Sequence, residues 1–178
     1  MLAFVIITAI FVCHAYAGPV EDVCPPRLVQ EGTKYLKVHG GKCFKFFVRP
    51  ECKRQYWEAQ RECEKHKGNL AMPKTEEMNQ FLVDALASFN VDEEIFIGLD
   101  DLEEEHVFKW KDGTRLIVAN FYDNFGFGAG IFRDHWAKGK HCVSLDPDMN
   151  VWKDVECRRE LWQMLRGFKA RGLFVCEY

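Results

Sequence analysis

With 178 residues, 48% of them hydrophobic and 14% aromatic, the chain has the composition of one globular domain with a core of its own. A formal net charge of -3 and the high apolar content exclude disorder as the main state, and the missing basic surplus argues against a general nucleic-acid binder. Only the first residues form a long uncharged run, which excludes a polytopic membrane protein.

That run, Met1 to Ala17, holds no Lys, Arg, Asp or Glu. Its apolar stretch from Leu2 to Val12 has signal-peptide length, and Ala15-Tyr16-Ala17 puts small residues where a signal peptidase reads. Residues 1–17 are therefore expected to be a signal peptide; an uncleaved anchor would need about 20 apolar residues. No second long apolar run follows, so the expectation is a secreted, extracellular chain without a transmembrane anchor. Residues 18–34, rich in Pro, Glu and Gly and containing Pro25-Pro26, read as an extended lead-in.

Phe44 to Val48 reads as a strand that stops before Pro50. A helix follows, with Tyr56, Ala59, Gln60 and Cys63 on one face and Gly68 as its stop. The second helix has Thr75 as its cap and Glu76 and Glu77 at its positive end, with Met78, Phe81, Leu82, Ala85, Leu86 and Phe89 forming a core face. Ile95 to Leu99 is a short bulky run suited to a buried strand. Val107 to Trp110 precedes the turn Lys111-Asp112-Gly113, and Arg115 to Val118 reads as another short strand. His141 to Leu145 and Leu173 to Cys176 complete the strands, separated by two irregular stretches, Asn120 to Lys140 and Arg158 to Gly172. Without repeats or a second core, residues 35–178 form one α+β domain.

Eight cysteines suit an oxidising compartment, and seven remain beyond the leader: Cys24, Cys43, Cys52, Cys63, Cys142, Cys157 and Cys176. An odd number leaves one thiol free or paired with another chain, which would give a disulfide-linked homodimer. Spacing alone does not choose among the connectivities. Enzyme motifs are missing: Asp134-His135 and His141-Cys142-Val143-Ser144 hold catalytic residue types, yet there is no nucleophile elbow, P-loop or zinc helix. The expectation is a protein that is not an enzyme, and no Asn-x-Ser/Thr sequon offers N-glycosylation.

From Tyr35 to Tyr178 the order of elements resembles the C-type lectin domain. Phe96-Ile97-Gly98-Leu99 stands where that family has Trp-Ile-Gly-Leu, and Phe108-Lys109-Trp110 with Asp112-Gly113 looks like its next strand and turn. Asn120-Phe121 takes the place of Asn-Trp, and Trp152-Lys153-Asp154 that of Trp-Asn-Asp. The resemblance implies two helices with small antiparallel sheets, a long irregular loop region and disulfide staples. It pairs Cys63 with Cys176 and Cys142 with Cys157, and, as in long-form members, Cys24 with Cys43, with Cys52 as a competitor.

In sugar-binding members calcium bridges protein and saccharide, and calcium takes six to eight oxygen ligands. The family's Glu-Pro-Asn or Gln-Pro-Asp triplet is missing after Asn120; Lys140-His141 stands where an acid precedes the cysteine, and Lys153 replaces the asparagine beside Asp154. Lysines repel a cation and have no lone pair to give it. The usual calcium-dependent site is therefore expected to be lost and no cofactor is expected. Asp101 and Glu105 match two ligands of an accessory calcium site, which leaves them as a weak, degenerate place for that metal.

Residues 121–140 carry six aromatics among glycines, a combination suited to recognition or to plugging the loop's own core. Residues 158–171 set Leu161, Trp162, Leu165 and Phe168 among basic residues, which suits an acidic partner, a sulfated glycan, an anionic membrane surface or packing on the domain. Candidate ligand-binding residues are Phe125, Phe127, Trp136, Lys140, Lys153 and Asp154. The functional expectation is a non-catalytic recognition protein for a glycan or extracellular protein ligand. The alternatives are a structural matrix or biomineral-associated protein and a venom-type toxin or inhibitor on the same scaffold.

Overall fold

The computed structural model describes residues 19–105, 107–116, 140–157 and 171–178, with only the backbone of Lys140. The expected signal peptide, the aromatic residues of 121–139 and the basic segment 158–170 lie outside the described residues.

The lead-in is not extended but folds into two short helices, α1 (Val20–Val23) and α2 (Pro26–Glu31). Pro26 explains the second: it occupies the first helical turn, where its missing N–H costs nothing and its fixed φ suits the helix. Leu28 is buried there beside Cys24, Cys43 and Leu36, a small satellite core.

Among the described residues eight strands follow: β1 (Leu36–His39), β2 (Lys42–Phe47), β3 (Asn69–Leu70), β4 (Ile95–Asp100), β5 (Lys109–Trp110), β6 (Lys140–Asp146), β7 (Val151–Glu156) and β8 (Leu173–Glu177). They join into a single connected sheet of order β1-β2-β8-β4-β6-β7, with β3 on β8 and β5 on β4. The expected small antiparallel sheets are thus one sheet, and the β4–β8 pair within it is parallel, Ile95 beside Leu173 and Phe96 beside Phe174. Of the expected strand at 115–118, Arg115 makes one isolated bridge to Lys109.

Two helices cover the sheet. In α3 (Tyr56–Glu64), Gln55 and Glu58 form a reciprocal capping box, and Tyr56, Ala59 and Cys63 face inward. The helix ends with Lys67 in the left-handed region at φ 63°, not at Gly68. Gly68 answers a different need, because a Cβ there would lie 2.5 Å from the Glu177 carbonyl oxygen. In α4 (Glu76–Ser88), the Thr75 hydroxyl accepts the Met78 N–H at 3.2 Å, and Leu82, Ala85 and Leu86 are buried.

Side chains alternate across β4 and β8. Ile95, Ile97, Leu99, Leu173 and Val175 join the core under α4, while Phe96, Phe174 and Cys176 join Tyr56, Ala59 and Cys63 under α3. Both strands are therefore buried on both faces, which is why they read as unbroken apolar runs. Gly98 has to be glycine for space: an added Cβ would meet the Leu70 carbonyl oxygen at 2.5 Å. Trp152 and Trp110 meet edge to face at 5.5 Å, and the Trp152 indole N–H donates to Asn79 Oδ1 at 2.8 Å, which satisfies the one polar atom of that ring.

Disulfides join Cys24 to Cys43, Cys63 to Cys176 and Cys142 to Cys157, with Cα separations of 4.9, 5.3 and 5.2 Å. These are the pairs that the resemblance implies. Cys52, half-buried in a single 3-10 turn (Pro50–Cys52), remains a free thiol.

Candidate functional site

Two clusters of polar side chains among the described residues stand at the two ends of β4. At its C-terminal end, Asp100 and Asp101 are both buried, at 6% and 4% exposure. The Tyr56 hydroxyl donates to Asp100 Oδ2 at 2.9 Å and Lys111 Nζ lies 2.5 Å from the same oxygen. Lys111 also sits over the Tyr56 ring, 5.0 Å from its centroid. Burial, followed by the Asp100 charge and hydrogen bond, pushes the Tyr56 phenol well above its ordinary value, so it stays a donor.

Asp101 turns to β6. Its Oδ1 is 3.0 Å from His141 Nδ1, and its N–H donates to the His141 carbonyl at 3.0 Å. Glu105, expected beside it, is exposed. Glu103 pairs with Lys109 at 2.5 Å, a hydrogen bond that holds its carboxyl below the usual range. A cavity of about 110 Å³ between Asp100, Glu103, Lys109, Trp110 and Lys111 is small for a saccharide.

At the N-terminal end of β4, Lys153 of β7 reaches Glu94 Oε1 at 2.8 Å and Asp146 Oδ2 at 2.6 Å. The Ser144 hydroxyl donates to the other Glu94 oxygen at 3.0 Å. Asp146 Oδ1 accepts the N–H groups of Asp148 and Met149 at 3.1 and 3.0 Å, so the carboxylate closes the β6–β7 turn as well as holding the lysine. Burial acts to raise the Asp146 carboxyl, but the Lys153 and backbone hydrogen bonds outweigh it and hold it low. Hydrogen bonds from Lys153 to Asp146 and then Glu94 raise the Lys153 ammonium in turn.

Strand alternation separates two expected site residues. Asp154 is buried on the Trp152 side of β7, whereas Lys153 is half-buried on the other. Phe125, Phe127 and Trp136 lie outside the described residues, as does the Lys140 side chain. No three His, Cys, Asp or Glu side chains among the described residues are grouped so as to hold a metal ion. Among the described residues at the family's calcium positions, Asp101 is met by the His141 imidazole and Lys153 brings a positive charge. Sequence reading did not single out Glu94, and it placed Tyr56 on a helix face, Lys111 in a turn and Ser144 among catalytic residue types without joining any of them to these clusters. Asp146 and Lys153, seven residues apart across a tight hairpin, carried a usable signal; Glu94 and Lys153, 59 apart, carried none.

A family model for the lectin C-type domain matches residues 52–162. Collectin-10 of Gallus gallus is 30% identical over 135 residues, which cover 75% of this chain but 42% of that protein, so the chain spans about two fifths of the collectin's length. Snaclec bothrojaracin subunit beta of Bothrops jararaca is 25% identical over 177 residues, 98% of this chain and 95% of its own. The crystal structure of human lithostathine superposes with a TM-score of 0.60 at 22% identity, covering 82% of this chain and 88% of that one. With the disulfide-stapled sheet between two helices and the extent of the family match, the chain belongs to the C-type lectin domain family.

Proposed function

We propose that this chain is a secreted, non-catalytic recognition protein that engages a glycan or an extracellular protein through the long-loop end of its domain without a calcium bridge. The observation that supports this reading is the commitment of Lys153 to Glu94 and Asp146, at 2.8 and 2.6 Å, in the position where resemblance to sugar-binding members implies a calcium-ligating asparagine. An ammonium group is a donor only and cannot coordinate a cation. Placement of His141 against Asp101 gives the accessory position the same character. Three disulfides and the expected leader support export to an oxidising compartment. Melting curves with millimolar calcium and with a chelator, paired with glycan-array binding under both conditions, test the reading. Coincident melting curves and chelator-insensitive binding are expected; a calcium-dependent rise in melting temperature together with chelator-sensitive mannose or galactose retention would overturn it.

A second reading has its own support. The match to a protein named as a subunit covers 98% of this chain and 95% of that one, and Cys52 has no disulfide partner among the described residues. On this reading Cys52 links two polypeptides, either two copies of this chain or this chain and another. Electrophoresis without reductant is expected to show a band of doubled mass that Cys52→Ser removes; a monomer under both conditions rejects the linkage.

A further inference from the structure

A separate groove runs along the outer face of α3. It encloses about 280 Å³ and is lined by Arg54, Trp57, Glu58, Arg61, Glu62 and Lys65. Trp57 is 46% exposed in a protein whose other described tryptophans, Trp110 and Trp152, are buried. Its ring is nonetheless held in place, because the indole N–H donates to Gln55 Oε1 at 2.8 Å. Arg61 lies over the ring, 6.0 Å from its centroid.

The charges in the groove are unequally engaged. Glu58 accepts the Gln55 N–H at 3.0 Å as part of the helix cap, and Glu62 pairs with Lys65 at 2.6 Å. Arg54 donates through Nη1 to the carbonyls of Glu51 and Lys53, at 2.9 and 3.0 Å, which fixes the guanidinium without neutralising it. Arg54 and Arg61 make no ion pair among the described residues. Arg171, exposed, adjoins Gly172, whose backbone is bridged to Arg54.

A fixed, exposed indole face offers a flat apolar platform at small entropic cost. The C–H face of a sugar ring fits such a platform, and a guanidinium fork fits a sulfate or carboxylate through paired hydrogen bonds. We propose that this groove binds an acidic saccharide, one ring lying on Trp57 and its anionic group taken by Arg61 and Arg54. The volume stands near the low end for small-ligand clefts, which suits one or two sugar rings and is short for an extended peptide. Glu58 and Glu62 in the same groove oppose a polyanion with a charge on every unit, so the fitting ligand is sparsely charged.

The inference does not rest on the loop-end reading, and a chelator present throughout removes any calcium-borne binding from the test. Titration calorimetry of the mature chain would use three tetrasaccharides: chondroitin sulfate, hyaluronan and neutral chitotetraose. Hyaluronan, charged on alternate rings only, is expected to bind, and chondroitin sulfate, charged on every ring, to bind more weakly; the reverse order would overturn the proposal. Trp57→Ala is expected to weaken binding at least about 10-fold and Arg61→Gln about 5-fold, corresponding to interactions of about 1 kcal/mol or more. Lys37→Gln, on β1, is the control and should leave the Kd unchanged. Both groove variants change outward-facing side chains, and circular dichroism would establish that they are folded. Equal Kd values for Trp57→Ala and the parent, equal binding of chitotetraose, no binding at millimolar saccharide, or tighter binding of an acidic peptide would each overturn the proposal.

Discussion

The two ends of β4 solve the same electrostatic problem at different depths. At the C-terminal end the carboxylates of Asp100 and Asp101 are withdrawn from water and met by Tyr56, Lys111 and His141. At the N-terminal end Glu94 and Lys153 keep 41% and 36% of their side-chain surface in solvent, with Asp146 tucked beneath. Pairs of similar length therefore differ in worth. Solvent screens the outer pair, whereas loss of a partner at the inner one strands a buried charge.

Removing Lys111 should give the largest effect. Lys111→Met leaves Asp100 with the Tyr56 hydroxyl and a backbone N–H, and about 3 kcal/mol of stability is expected to disappear in urea unfolding. A loss below about 1 kcal/mol would erase the contrast between the ends. Tyr56→Phe removes one hydrogen bond to the same carboxylate and should cost about 1.5 kcal/mol. Combining the two substitutions in a double-mutant cycle is expected to show strong coupling, since both groups serve one oxygen.

Lys153→Met at the outer end should cost about 1 kcal/mol or less, after allowance for screening, and the cost should shrink further in molar salt. The smallest effect is expected at a surface pair, Lys74 with Asp112. Burial acts to raise the Asp112 carboxyl, but hydrogen bonds from Lys74 and Thr114 outweigh it and lower it from 3.8 to about 2. Because the folded value lies below the unfolded one, its stabilisation is complete above about pH 4 and fades as the pH falls toward 2. Asp112→Asn should cost about 0.5 kcal/mol at pH 7, and its melting curve should converge with the parent's at the acid end of a pH series.

Much of the scaffold was legible because it is local. Thr75 with Glu76 and Glu77 announced α4, and the buried runs at 95–99 and 173–176 announced the two central strands. The lead-in was misread because Pro25-Pro26 has two local readings, an extended segment or the start of a helix, and burial of Leu28 against Cys24 and Cys43 decides between them. β1 and β7 escaped because their patterns are only half-buried: in β7 the buried pair is Trp152 and Asp154, one apolar and one charged, against half-buried Val151 and Lys153. The polar clusters escaped for a different reason. Tyr56 meets Asp100 across 44 residues and Ser144 meets Glu94 across 50, pairings made by the sheet and by no short-range pattern.

The place of β8 in the sheet carries a consequence for biosynthesis. It follows every other described strand in the chain, yet it sits between β2 and β4, hydrogen-bonded to both and to β3. While the ribosome is still extending residues 140–157, the strands already made have an empty central seat, with Phe46 and Ile95 lacking their neighbour. Cys63 must likewise wait, 113 residues behind its partner, with Cys52 close to it in sequence as a competing thiol. Closure of the Cys63–Cys176 disulfide is therefore expected to come late, once residues 173–177 have entered the sheet.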